Sequence, residues 1–233
     1  MIQQQKLMPM SAAIAQPQRA RNRTTTGRRH AQFDDYAGLV AGLQARGKSG
    51  SAPVAIGITS CGRGEGVSTV SSNLAVAAQV LDQKAVLIDA HLARPSLNRI
   101  MAVPLSPGLG DYLDGMAALA ECLYKSSLKH LTVLPSGTPL DGPAVHEAAR
   151  VSSLLDALRE GFGLILVDLP PLKEISSCLT LAGQLDGVLL VVAAERVAAE
   201  EAERAVAQFQ RAGGHLLGVV LNSHRQYVPK WLS

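Results

Sequence analysis

The stretch Thr59-Ser-Cys-Gly-Arg-Gly-Glu-Gly-Val-Ser-Thr69 decides the fold. It continues the apolar run Val54-Ala-Ile-Gly-Ile-Thr59 and leads into Thr69 to Leu81, where small and aliphatic residues recur at helical spacing. A strand, a glycine loop and a helix in that order place backbone N–H groups and a helix N-terminus in front of an anion. Gly62, Gly64 and Gly66 allow close approach of the backbone, and Ser68 stands where the hydroxyl of a phosphate-binding loop ligates Mg²⁺. The position just before it, where such loops carry lysine, holds Val67.

Downstream, apolar runs alternate with helical patterns. Ala85-Val-Leu-Ile-Asp89, Leu131-Thr-Val-Leu134, Leu164-Ile-Leu-Val-Asp168, Val188 to Ala193 and Leu216 to Leu221 read as strands. Ala144 to Glu160 and Ala198 to Ala212 read as helices, the first with Leu154, Leu155 and Leu158 on one stripe. Continuous rather than alternating apolar strands, separated by helices, predict a parallel sheet covered on both faces. The expected fold class is therefore α/β, doubly wound and mainly parallel. Ligands of such sheets bind beyond the carboxyl ends of the strands. Asp89 and Asp168 end two strands and the glycine loop ends a third, so those three ends define the candidate site.

Gly64-Glu-Gly-Val-Ser-Thr-Val-Ser-Ser-Asn-Leu-Ala75, Val86-Leu-Ile-Asp-Ala-His-Leu-Ala-Arg-Pro95 and Ile165-Leu-Val-Asp-Leu-Pro-Pro171 together resemble the three nucleotide motifs of the bacterial tyrosine kinases. These are P-loop proteins of the division-site-selection and partitioning ATPase superfamily, and cytoplasmic partners of polysaccharide chain-length regulators. Lesser matches follow in the family's order: Gly108-Leu-Gly-Asp-Tyr-Leu-Asp-Gly115, Val133-Leu-Pro-Ser-Gly137, Asp186-Gly-Val-Leu-Leu-Val-Val192 and Gly218-Val-Val-Leu-Asn222. The resemblance implies ATP and Mg²⁺ as ligands. It implies a nucleotide-binding stretch over Gly62, Arg63, Gly64, Glu65, Gly66, Val67, Ser68 and Thr69, with Ser68 on the metal. Asp168 would position the metal through water, Asp89 would lie near the metal and γ-phosphate, and Asn222 would read the adenine edge. It also implies a membrane-embedded chain-length regulator as partner, homo-oligomerisation, and a cytoplasmic site of action at the inner membrane face.

Four departures argue for a degenerate member. Val67 replaces lysine; His91 and Ala93 stand where the family has aspartate and arginine; Tyr227 replaces a C-terminal tyrosine cluster; and Asp34 to Gln44 lacks the charged residues that pack kinase subunits. A charge-assisted hydrogen bond contributes roughly 1.5–3 kcal/mol, so losing lysine weakens nucleotide binding by ~10- to 150-fold. Phosphoryl transfer depends on positioning and charge stabilisation, so the rate suffers further. The expectation is a weak or inactive tyrosine-kinase-like protein in exopolysaccharide biosynthesis and export. Two alternatives stay open: a working ATPase or kinase with Arg63 in place of lysine, and a positioning ATPase of the division-site or partitioning type.

The 233 residues carry 22 Lys+Arg against 19 Asp+Glu, but unevenly. Lys6, Arg19, Arg21, Arg23, Arg28 and Arg29 precede the first acid, Asp34. The body is thus slightly acidic, and no nucleic-acid-reading surface is expected. Residues 1–33 read as a disordered basic tail suited to anionic lipid, 34–52 as a short helix and linker, 53–226 as the P-loop domain and 227–233 as a second tail. Cys61, Cys122 and Cys178 are spaced too far apart for a metal site and read as reduced, mostly buried thiols. His91 reads as a solvated loop histidine, and Glu195 to Glu203 as the acidic start of a helix.

Overall fold

Strand β1 (Val54–Ser60) is buried at all seven positions. It lies inside the sheet: β1 pairs in parallel with β5 (Leu164–Asp168) on one side and with β6 (Gly187–Ala193) on the other. In this computed structural model, residues 35–43, 53–138, 148–174, 179–194 and 197–222 are described. The basic tail, Cys178, Tyr227 and Trp231 lie outside them. The remaining strands are β2 (Ala85–Asp89), β3 (Tyr124–Lys125), β4 (Leu131–Leu134) and β7 (Leu216–Asn222). They assemble into one sheet of order β3-β4-β2-β5-β1-β6-β7. Every pairing is parallel except that of β3 with β4. The doubly wound, mainly parallel α/β class read from the sequence is the observed one.

Alternate residues of each central strand feed opposite cores. On one face Ala55, Ile165 and Val167 join Leu154, Leu155 and Leu158 of α6 (Ala148–Gly161) and Leu181 of α7 (Leu179–Gln184). On the other, Ile56, Ile58, Leu164 and Leu166 meet Val70, Leu74 and Ala75 of α2 (Val67–Ala78). The helix at residues 35–43 (α1) adds Val40 and Leu43 to that second core, so the segment expected to be separate packs on the sheet. Burying a Leu or Ile side chain contributes about 1.5–3 kcal/mol, and two such faces account for the uninterrupted apolar runs.

Sequence and structure differ at the edges of elements. Helix α2 starts at Val67, two residues before the expected Thr69, directly after Gly66 in the left-handed region (φ 91°). It ends in a 3₁₀ turn, Gln79–Leu81. Four other helices had no period long enough to read: α3 (Leu97–Ile100), α4 (Leu109–Leu113), α5 (Leu119–Cys122) and α7. The last helix, α8 (Ala199–Arg211), carries Glu200 and Glu201 in its first turn, where carboxylates complement the helix dipole.

Two motifs that are remote in sequence prove to be one clasp. Leu109 N–H donates to the Pro135 carbonyl at 2.7 Å, Gly110 N–H to that of Ser136 at 2.8 Å, and Gly137 N–H to that of Leu105 at 3.0 Å. Asp111 Oδ2 accepts from Gly108 N at 2.7 Å and Thr138 N at 3.2 Å, which ties α4 to the end of β4. A Cβ on Gly108 would strike the Gly137 nitrogen and the Pro135 carbonyl, both main chain and unable to swing aside. Gly108→Ala should therefore cost about 1–3 kcal/mol or more, lowering Tm by at least ~3 °C in a thermal melt. Gly161→Ala, whose Cβ would meet nothing within 4 Å, should leave Tm unchanged or raised.

Candidate functional site

Register brings the strand-end residues together. Asp89 of β2 pairs with Asp168 of β5, and Asp168 pairs in turn with Ile58 of β1, just ahead of the glycine loop. The loop is shaped by its own residues. Gly64 (φ 77°) and Gly66 (φ 91°) occupy the left-handed region, which turns successive N–H groups inward. Ser60 Oγ donates to the Gly62 carbonyl at 2.6 Å. Glu65 is 4% exposed. Its carboxylate accepts Gly62 N–H at 2.5 Å and Ala193 N–H, from the end of β6, at 3.2 Å. Asn222 Nδ2, from the end of β7, donates to the Glu65 carbonyl at 2.8 Å. A Cβ on Gly66 would collide with that same amide. The positive φ favours glycine at Gly66, and a Cβ there would also displace the Asn222 amide.

The two aspartates play different parts. Asp89 is fully buried and accepts three main-chain N–H groups: His91 at 3.1 Å, Ser96 at 2.9 Å and Leu97 at 3.0 Å. Burial pushes its pKa up, and those three bonds pull against that rise. Asp89 therefore organises the turn into α3. Asp168 is 2% exposed, and only one of its oxygens has a partner: Oδ1 accepts Ser71 Oγ at 3.2 Å, while Oδ2 is enclosed and unpaired among the described residues. Burial pushes its pKa to about 7, the Asp89 charge adds to the rise, and the nearby Ser68 and Ser71 hydroxyls oppose it. Ser68 Oγ in turn accepts Ser96 Oγ at 2.8 Å. A buried carboxylate with an orphaned oxygen beside a helix-start hydroxyl fits Mg²⁺, a hard cation that takes oxygen ligands. Ser68 and Asp168 are the residues that would hold it, and the ion would supply charge neutralisation for phosphate oxygens.

Comparison with known proteins identifies this arrangement. Residues 52–231 match the ParA family, described as the NUBPL iron-transfer P-loop NTPase. The tyrosine-protein kinase CpsD of Streptococcus agalactiae is 31% identical over 185 residues, 78% of this chain and 80% of the relative. The chain belongs to the bacterial tyrosine-kinase family of P-loop NTPases. A second member, the tyrosine-protein kinase YwqD of Bacillus subtilis, is 28% identical over 72% of this chain and 71% of the relative. In fold the chain also resembles the kinase domain of the Escherichia coli tyrosine kinase ETK. That match has a TM-score of 0.76 at 23% identity, and it covers 85% of this chain and 80% of that one. Among the described residues no group of three or more His, Cys, Asp or Glu is placed to hold a metal ion.

Within this tyrosine-kinase-family scaffold, the positions that depart from the motif have defined surroundings. Val67, at the lysine position, is partly buried and packs on the apolar core beside α2. Arg63 does not turn into the loop: its Nε donates to Glu174 Oε1 at 2.5 Å. His91 is half-buried rather than solvated, because the turn held by Asp89 folds it inward. Its Nε2 is enclosed without a partner among the described residues, and burial lowers its pKa. Thr69 is exposed on the first turn of α2. Cys61 is buried, and burial together with Glu65 pushes its thiol up to about 11, so it is unreactive at neutral pH. Ser71, Ser96 and Glu174 went unread in the sequence, since lone serines and a loop glutamate carry no periodic signal.

The Asp168 shift has a sign that can be measured. Its folded pKa lies above the ordinary carboxylate value of 3.8, so between those two pH values only the unfolded chain releases the proton. Stability then falls as pH rises through that window, and the full penalty is present above it. Asp168→Asn keeps an acceptor for Ser71 without the charge. It should raise Tm at pH 8 by several degrees, on the order of 2–4 °C for each kcal/mol recovered. Melts at pH 4 should show no difference between the two proteins.

Proposed function

We propose that this protein is a weakly catalytic or inactive member of the tyrosine-kinase family. It would act in exopolysaccharide biosynthesis and export as the cytoplasmic partner of a membrane chain-length regulator. The observation that carries this reading is the treatment of the lysine position. Val67 is partly buried against the apolar core beside α2, while the glycine loop, Ser68 and the buried Asp168 stand around it. A scaffold that retains its shape but lacks the central cation suits docking better than phosphoryl transfer, which relies on charge stabilisation. No helix among the described residues is long and apolar enough to cross a membrane. In this reading attachment is assigned to the partner and to the basic residues between Lys6 and Arg29, each contributing about 1 kcal/mol near anionic lipid.

Two experiments bear on this reading. Purified wild-type protein incubated with radiolabelled MgATP should show little tyrosine autophosphorylation, and efficient labelling would overturn the proposal. Val67→Lys, whose aliphatic stem can follow the path of the valine, should strengthen MgATP binding by ~10-fold or more in calorimetry. Separately, deleting residues 1–33 should move the protein from the membrane to the soluble fraction of lysed cells; unchanged fractionation would remove the lipid-contact role of the tail.

A further inference from the structure

The two edges of the sheet are finished differently. At one, β3 is two residues long, antiparallel to its neighbour, and carries the exposed Lys125. Short strands and lysine are devices that keep a sheet edge from pairing with another chain. At the other, β7 runs for seven residues, Leu216-Leu-Gly-Val-Val-Leu-Asn222, with no charged residue and no proline. Among the described residues it pairs with β6 alone. Leu216 to Val220 are half-exposed, and Leu221 is 47% exposed. One register shift skips Leu217, and from Gly218 onward the pairing with β6 is regular.

That pairing sets the direction of the main-chain groups. The Asn222 carbonyl accepts Ala194 N–H and so faces β6. Successive residues of a strand turn their N–H and C=O to opposite sides, so Gly218 and Val220 face β6 as well. Val219 and Leu221 present theirs to the outer edge. A strand docking there must also supply apolar side chains on both faces. Leu217 and Val220 lean on the core beside α2, and Leu216 and Val219 on the cluster beneath α8.

A second copy of β7 meets both demands. With a two-fold axis at Val219, antiparallel copies exchange both Val219 hydrogen bonds, and Leu221 falls beside Leu217 of the second copy. Val220 falls beside Gly218, so a branched side chain meets a residue that has none. The helices agree with this arrangement. Helix α8 covers β6 and β7 through Ala202, Ala205 and Val206. Its axis thus lies one strand spacing from the two-fold, which sets the two α8 helices roughly 10 Å apart, at packing distance. They run antiparallel, so the acidic start of each, with Glu200 and Glu203, faces the basic end of the other, with Arg211. The chain's own continuation is a poorer occupant. Six residues, Ser223 to Val228, separate Asn222 from Pro229. A tight turn takes about two of them, and the strand left before the missing proline N–H is much shorter than β7.

We propose that the outer edge of β7 is a homodimer interface, in which two copies join their sheets by antiparallel pairing of β7 about a two-fold axis at Val219. The inference is independent of phosphoryl transfer and of nucleotide binding.

The test is sedimentation velocity on the full-length protein over a micromolar concentration range without nucleotide. Wild type should be a dimer. Leu221→Lys, a substitution at an exposed position that sets a charge beside the apolar strand, should weaken dimerisation by about tenfold or more and leave the far-UV circular dichroism unchanged. Val219→Cys should give a covalent dimer with a short bis-maleimide, above the baseline of the unsubstituted protein. Met116→Cys, at a residue 80% exposed between α4 and α5, should not. A monomeric wild type, a dimer that withstands Leu221→Lys, or cross-linking through Val219→Cys no stronger than through Met116→Cys would overturn the proposal. So would a protein that dimerises only after residues 223–233 are removed, because the edge would then belong to the chain's own continuation.

Discussion

Everything at the site depends on the pairing of β5 between β1 and β2. The five residues of β5 are buried on both faces, and their register sets Asp168 beside Asp89 on one neighbour and beside Ile58 on the other. Because side chains alternate across a strand, a slip of one residue would turn Leu164 and Leu166 out of the core beside α2 and carry Asp168 off the site. Two packed cores therefore hold the carboxylate in place. Folding energy that has nothing to do with ligand binding is what makes the site geometry stable.

The glycine loop illustrates a second consequence of that rigidity. Its shape is sustained by contacts among its own residues and the ends of β6 and β7: Glu65 accepts from Gly62 and Ala193, and Asn222 donates back to the Glu65 carbonyl. A loop held by internal donors and acceptors keeps its curvature with valine at the lysine position. Val67 fits because the first turn of α2 presents it to the apolar core, which accepts a branched aliphatic side chain readily. Valine at that position and the observed fold are thus compatible. Asp168 stands in the site as a buried carboxylate, its pKa raised to about 7 by burial, with one oxygen unpaired among the described residues.

Much of this was legible along the chain. Continuous apolar runs ending in Asp89 and Asp168, with a glycine loop between a strand and a helix, were enough for the α/β class and for the three strand ends that form the site. The substitution at Val67 was visible for the same reason, since a loop of fixed spacing assigns a role to each position. Short helices and the two-residue strand β3 were not, because a period needs several turns or alternations to register. The helix at 35–43 looked like an appendage, since two buried residues, Val40 and Leu43, are too few to announce a packed face.

What spacing along the chain could not supply is which charges neutralise which. Arg63 is four residues from Val67 in sequence, yet its partner, Glu174, is 111 residues away and is reached only because β1 and β5 are neighbours in the sheet. His91 was expected in solvent and is half-buried, because Asp89 draws the following turn inward through three main-chain bonds. Ser96 reaches Ser68 by the same fold of the chain. Local pattern reports backbone conformation and burial, since both repeat with a fixed period. Charge pairing and protonation depend on distances between segments remote in sequence, and those come into being only when the sheet closes.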